Sequence, residues 1–270
     1  MLPFLEELLE KKLSDSLGAK VSFDRVKLSP LSGKVEVLNL AARGRDGANP
    51  FLTIARIEAK VAMAKALKQE ISIQSLRIER PYVRVPIALP KKVPASKNER
   101  GSPASKPWQF EADDVLVVDG TIEFQSVAYH AIAERVNLLL KRDANDIVLT
   151  LLSDSVRRIN PDVTVGELKL NGRIATPDFS RLLTSSISLD GTIDPHARFS
   201  ATTASLMSKT IDARMTANLD SQLFSRLVPI ALPAIAGLIH LDIDGTFSPE
   251  RVVLRRGEIS TQNATMKLDS

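Results

Sequence analysis

A chain of 270 residues, 44% hydrophobic and 25% charged, can bury a substantial core as one elongated domain or two compact ones, and it is neither disordered nor collagen-like. One Trp and two Tyr give no stacking platform for single-stranded nucleic acid, and a net charge of +4 from 36 basic and 32 acidic side chains is too small and evenly spread to track a phosphate backbone. The absence of Cys excludes disulfide frameworks, Cys-ligated zinc and cysteine nucleophiles without fixing the compartment.

The start, MLPFLEELLEKKL, lacks the basic, apolar and small-residue regions of a signal peptide, and no run of about 18 apolar residues follows. Either the protein is cytosolic or a targeting segment is missing. From Leu2 to Leu17 the apolar residues Leu5, Leu8, Leu9, Leu13 and Leu17 fall at helical spacing, with Glu6, Glu7, Glu10 and Lys11 turned away and Gly18 at the expected C-cap. This predicts an amphipathic helix that caps the end of a core, in preference to one lying on a membrane.

After Gly18 the period becomes two. Val21, Phe23, Val35, Val37, Ile71, Ile73, Val83, Val85 and Ile87 stand in short alternating runs, and a longer run covers Phe51 to Met63. A short Ala- and Lys-rich helix is expected between Val61 and Gln69. Residues 1–85 thus read as a helix followed by amphipathic antiparallel strands. Five prolines at positions 86, 90, 94, 103 and 107 make residues 86–107 a linker or long loop, read as an excursion within one continuing sheet, with a domain boundary as the alternative. Its Lys91, Lys92, Lys97, Arg100 and Lys106 face only Glu99; the solvated linker is preferred to an anionic-lipid contact.

Residues 108–270 continue as repetitive sheet. Strands are predicted around Val115–Phe124, Ile147–Leu152, Val163–Ile174, Ser186–Ile193, Phe199–Ala204, Thr210–Leu219, Ile239–Phe247 and Val252–Leu268. Short helices interrupt them near 176–184, where Thr176, Pro177 and Asp178 form a start signal, and near 220–228. Both helices carry FSRL, at Phe179 and Phe224, followed by a strand with Asp, Gly and Thr, an internal duplication typical of proteins that grow along one axis.

Four related stretches recur: VDGTIEF from Val118, LNGRIAT from Leu170, LDGTIDP from Leu189 and IDGTFSP from Ile243. Asp-Gly between apolar runs is a type I′ hairpin signal. In LDGTIDP, however, a hairpin would leave only Thr192 to Asp194 as the returning arm, so a strand running straight through is preferred. Val118 and Ile122, Leu170 and Ile174, Ile187, Leu189 and Ile193, and Ile243 and Phe247 then share one apolar face with Gly120, Gly172, Gly191 and Gly245. The Asp residues turn to water. Glycine inside a strand marks a bend, a bulge or a close approach, here expected to help a sheet curl.

Catalytic chemistry finds no support. His130, His196 and His240 are scattered without metal-ligand spacing, and no GxxxxGK[ST], GxSxG or HExxH pattern occurs. No enzyme and no cofactor are expected. An enzyme on a β-solenoid would need a carboxylate cluster that the sequence does not display.

The N-terminal third, from Phe4 to Val85, is similar to the start of AsmA-like proteins. It carries in order a helix, here ending SLG, a strand, the turn LSPLSG, the strand LNL, the strand FLTIARIE, a short helix, and the pattern IQSLRIERPYVRV. The later strands resemble the family only in style. The resemblance implies an elongated, curled antiparallel sheet, anchored in the bacterial inner membrane by an N-terminal helix and extending through the periplasm. Its apolar groove would carry phospholipid acyl chains between the inner and outer membranes, with the residues named above as lining. No anchor precedes Leu2 and NATMKLDS reads as mid-strand, so a fragment is expected. The alternative is a periplasmic scaffold that offers a sheet edge to outer-membrane proteins during assembly.

Overall fold

The structure is a computed structural model and describes residues 10–11, 13–14, 18–29, 31–44, 49–62, 72–86, 111–125, 130–159, 162–182, 184–205, 208, 210–223, 237–248, 252–261 and 264–268. It is mainly β. All the strands belong to one 15-stranded open sheet. In chain order they are β1 (Lys20–Ser22), β2 (Arg25–Ser29), β3 (Lys34–Arg43), β4 (Pro50–Val61), β5 (Ser72–Pro86), β6 (Glu111–Gln125), β7 (His130–Asp143), β8 (Asp146–Ile159), β9 (Asp162–Ile174), β10 (Ile187–Asp194), β11 (Ala197–Thr203), β12 (Ile211–Asp220), β13 (Leu238–Phe247), β14 (Val252–Ser260) and β15 (Thr265–Leu268).

Strand order follows chain order from β3 onward, while β1 and β2 share the two halves of β3. One ladder departs from the expected antiparallel pattern: β5 and β6 pair in parallel, Ile78 opposite Val117. Parallel neighbours need a connection that returns the chain to the starting end, and the Pro-rich segment lies between them in sequence. Residues 87–110 are outside the described residues, as are most of the helix expected over Leu2–Leu17, the short helix expected after Val61 and most of the one near 220–228. Of the first helix, Glu10, Lys11, Leu13 and Ser14 have helical backbone, and the Ser14 hydroxyl accepts the Val21 N–H at 3.0 Å.

Ladder partners in a sheet point to the same face, so the registers can be followed across it. One row runs Val26, Val37, Ile57, Ile78, Val117, Leu138, Leu151, Leu170, Gly191, Phe199, Met215, Ile243, Gly257. A second, two residues away along each strand and three across the β14 bulge, runs Leu28, Val35, Ala59, Leu76, Val115, Leu140, Leu149, Gly172, Leu189, Ala201, Ala213, Gly245, Leu254. Every strand from β2 to β14 contributes an apolar residue or glycine to each. The row between them faces the other way and is polar at Lys27, Glu36, Glu58, Arg77, Thr150, Asn171, Asp190, Ser200, Arg214, Asp244 and Arg256, interrupted only by Leu116 and Leu139.

The alternation slips along a line that crosses the strands. Asn39, Arg80, Asp119 and Arg135 have φ of 53°, 49°, 56° and 50°. Three of the ladders fall into line there: Asn39 and Arg80 lie on either side of Ala55 in β4, and Asp119 is beside Arg80 in the parallel ladder. A left-handed residue or bulge turns the next side chain over and bends the strand. Beyond the line the apolar face therefore continues in β3 to β8 with the opposite parity, in a row Val21, Ala42, Leu52, Val83, Ile122, Ala133, Val156 that meets Gly166 of β9. Packing confirms that this is the same face: Val37, Ile57 and Ile78 from one side of the line pack against buried Val21, Leu40, Ala42 and Ile54 on the other.

Two further clusters sit at opposite strand ends. After β9, Thr176 caps a 3-10 turn (Phe179–Arg181), its hydroxyl accepting the Asp178 N–H at 3.1 Å. Phe179 is then buried with Ala112, Ile147, Ile174 and Ile187. At the other end Leu223, whose N–H is capped by Asp220 at 2.6 Å, is buried with Val163, Ala217, Leu219, Ile239 and Leu241.

Candidate functional site

The apolar face is the largest feature of the molecule that lacks an internal explanation. A single-layer sheet buries such a face only against a second layer or a partner. Among the described residues no second sheet lies against it. The opposite face is wet, with Arg56 bridging Glu36 at 2.7 Å and Glu58 at 3.0 Å, and Lys34 reaching Glu58 at 2.9 Å. Such partly exposed pairs contribute about 0–1 kcal/mol each and serve chiefly to mark the solvent side.

The Asp-Gly or Asn-Gly pairs of the four DGT-like stretches lie inside β6, β9, β10 and β13, so none is a hairpin turn. Leu170 and Ile243 stand in the first apolar row and Leu189 in the second. Ile174 and Ile187 pair with each other toward the Phe179 end, Ile193 pairs with Leu168 and Ala197 toward the Leu223 end, and Phe247 pairs with Ile211 and Val252. Ile122 lies beyond the slip, level with Val83 and Ala133. Val118 is level with Glu79, whose partner in β4 is Arg56, and so falls on the charged side. Left-handed Asp119 separates it from Gly120 and Ile122, and Val117 holds the apolar place instead.

The glycines differ among themselves. A Cβ on Gly172 would lie 2.5 Å from Leu189 Cδ2, and one on Gly191 would lie 2.5 Å from Phe199 Cζ and 2.6 Å from Leu170 Cδ2. These two make room for large neighbours that fold across the strand. Gly120 lies under the Pro81 ring, at 3.1 Å, between two irregularities of the β6–β7 ladder. A Cβ on Gly245 would meet backbone, 2.6 Å from the Val253 carbonyl oxygen, where the β13–β14 register shifts. There the extra residue Arg255 binds Asp212 at 2.8 Å and Asp244 at 2.6 Å.

Polar chemistry gathers on the wet face in one cluster. Buried Glu123 accepts the Tyr82 hydroxyl, Arg84 Nε at 3.3 Å and, on its other oxygen, His130 Nε2 at 2.8 Å. Burial pushes the Glu123 carboxyl up, but these hydrogen bonds and the Arg84 charge outweigh it and hold the pKa below the ordinary value. Burial and the adjacent carboxylate raise the Tyr82 phenol. The cluster ties β5, β6 and β7 together; sequence spacing could not bring His130 to Glu123, whereas the ladders do. His240 Nδ1 meets Asn218 at 2.8 Å. Among the described residues no group of His, Asp or Glu could hold a metal ion. A polar depression of about 470 Å³ around Lys169, Asp194, His196 and Arg198 opens beside the β10–β11 turn.

The class defined by these features is a mainly β protein made of one long open sheet, apolar on one face and charged on the other. No helix among the described residues is long and apolar enough to cross a membrane. Comparison with family models, curated proteins and solved structures found no match.

Proposed function

We propose that this chain is a non-enzymatic lipid-transfer conduit whose sheet curls so that the apolar face lines a groove for phospholipid acyl chains. The observation that carries the reading is the pair of apolar rows, unbroken from β2 to β14 and without a charged residue in either. Each methylene brought onto that face gains ~0.8 kcal/mol, enough for one acyl chain to be retained while it moves between equivalent positions. The left-handed residues at the slip line and the glycines under Leu189 and Phe199 supply bends of the kind that curl a sheet. The resemblance to AsmA-like proteins supports a periplasmic, inner-membrane-anchored conduit that serves the outer membrane, with an N-terminal amphipathic helix closing one end.

The test is uptake of labelled phospholipid by the purified chain, with mass spectrometry of its organic extract. Ile193→Asp places a charge on the face and should abolish uptake while the far-ultraviolet circular dichroism stays that of a sheet. Absence of co-purifying lipid and of uptake by the wild type would sink the proposal.

One observation favours the second reading, a scaffold for outer-membrane proteins. β15 pairs only with Gly257–Ser260, so the Val253–Arg256 half of β14 has no ladder partner on its outer side among the described strands. An unpaired edge can accept a client strand. Photo-crosslinking from position 253 to an outer-membrane protein, with no lipid uptake, would select this reading.

A further inference from the structure

Arg142 is out of place. It is the penultimate residue of β7, and its ladder partner is Ile147, fully buried among Ala112, Ile174, Phe179 and Ile187. It therefore stands on the apolar face, in line with Leu140 and Leu138, at the rim where β7 turns into β8. Its Nε is buried without a hydrogen-bond partner.

The other cations show how unusual this is. Buried Nε atoms without a partner occur also in Arg56, Arg157 and Arg158, but among the described residues every other arginine or lysine that is not classed as exposed has a partner elsewhere, as Arg84 has Glu123, Arg157 has Glu134 and Arg43 has Ser22. Across the turn Asp146 is taken by Arg173 at 3.7 Å, and Asp113, at the next position of the β6–β7 register, makes no ion pair with Arg142. A guanidinium held at an apolar surface without a counter-charge is poised for an anion, and its planar fork matches an oxyanion with two acceptor oxygens.

The geometry points to Arg142 as the headgroup contact for a lipid that carries a phosphate oxyanion. This inference rests on the lipid-conduit reading and adds to it the residue that holds the headgroup. The phosphate sits at the rim on Arg142. The acyl chains run from there over Ile147, Leu140 and Leu149 into the rows described above, the span from Arg142 to Leu138 covering ~13 Å at the usual rise per residue.

The experiment compares uptake of phosphatidylglycerol and of diacylglycerol with identical labelled chains, from vesicles, by the wild-type chain, Arg142→Gln and Arg142→Lys. The wild type is expected to prefer phosphatidylglycerol. Arg142→Gln should lower phosphatidylglycerol uptake ~10-fold, the loss of one charge-assisted contact, with diacylglycerol uptake changed less than ~2-fold, and Arg142→Lys should restore part of the preference. Uptake of both lipids without preference, or an equal fall of both in Arg142→Gln, overturns the headgroup assignment and leaves the conduit standing. Uptake of neither lipid by the wild type overturns both. Inorganic phosphate separates the two sources of this chemistry: it should not displace phosphatidylglycerol at millimolar concentration, and displacement would assign the site to free phosphate.

Discussion

Gly191→Ala and Gly245→Ala make the same chemical change in the same motif on neighbouring parts of one sheet, and the structure requires different outcomes. At Gly191 the new methyl meets Phe199 Cζ and Leu170 Cδ2, the far ends of side chains that can rotate. Overpacking of this kind costs ~1–3 kcal/mol, and replacing glycine by alanine returns ~0.4–1 kcal/mol through the unfolded chain, so a net loss near 1 kcal/mol is expected. At Gly245 the methyl meets the Val253 carbonyl oxygen at 2.6 Å and Leu254 Cα at 3.3 Å. Backbone cannot rotate away, and the bulge that would have to open is clamped by Arg255 on Asp212 and Asp244. The loss should reach ~3 kcal/mol, the upper end of the overpacking range.

A long sheet with neighbour-only contacts need not unfold in one step, so the assay is local amide hydrogen exchange read by mass spectrometry. Gly245→Ala should speed exchange by about 100-fold in β13 and β14, and Gly191→Ala by about 5-fold in β9 to β11, from the free energies above at ~1.4 kcal/mol per tenfold. If Gly191→Ala loosens its strands as much as Gly245→Ala, the distinction between side-chain and backbone contact is wrong.

Phe179→Ala should cost ~3–5 kcal/mol, because the ring is buried between the sheet face and its own turn; protease cleavage near 176–185 should rise before the remaining sheet opens. Glu123 contributes stability that is fully present above its ordinary pKa of 4.5 and is lost as pH falls through its lowered folded value; Glu123→Gln should flatten that acid limb in pH-dependent denaturation. An unchanged limb would show that the Tyr82, Arg84 and His130 contacts do not set it. Val117→Asp should destabilise β5–β7 and disturb lipid uptake, whereas Val118→Asp should do neither; equal effects would contradict the side of the sheet assigned to each.

Period-two alternation made most strands legible, because one face is apolar along almost their whole length. β7 was not. Its sequence, HAIAERVNLLLKRD, places Ala131 and Ala133 at odd positions and Val136, Leu138 and Leu140 at even ones, and the change occurs at left-handed Arg135. A period search averages over such a slip and finds nothing. β5 suffered likewise: Arg80 and Pro81 split it into two short runs, yet it is one strand of 15 residues. Pro81 follows left-handed Arg80 in the middle of that strand. Arg142 was legible only as one more charge near a turn; its meaning depends on the register that puts it beside Ile147.

The motif copies show what a repeated letter pattern can and cannot carry. In β9, β10 and β13, parity alone places Asn171, Asp190 and Asp244 in the polar row and the following glycines in the apolar rows. In β6 the same letters carry a slip, and the sign of it is the pair Val117–Val118 before Asp119. The same arrangement precedes Asn39, as Val37–Leu38. Two adjacent apolar residues, then Asp or Asn, then Gly or Leu mark the parity change in β3 and β6, whereas β5 and β7 make theirs at Arg80 and Arg135. Asn and Asp accept a left-handed backbone more readily than other residues with a Cβ, so they mark the spot. Without the slip, Leu40, Ala42, Leu52 and Ile122 would turn to the charged side, and the apolar face would end at the line instead of continuing across it.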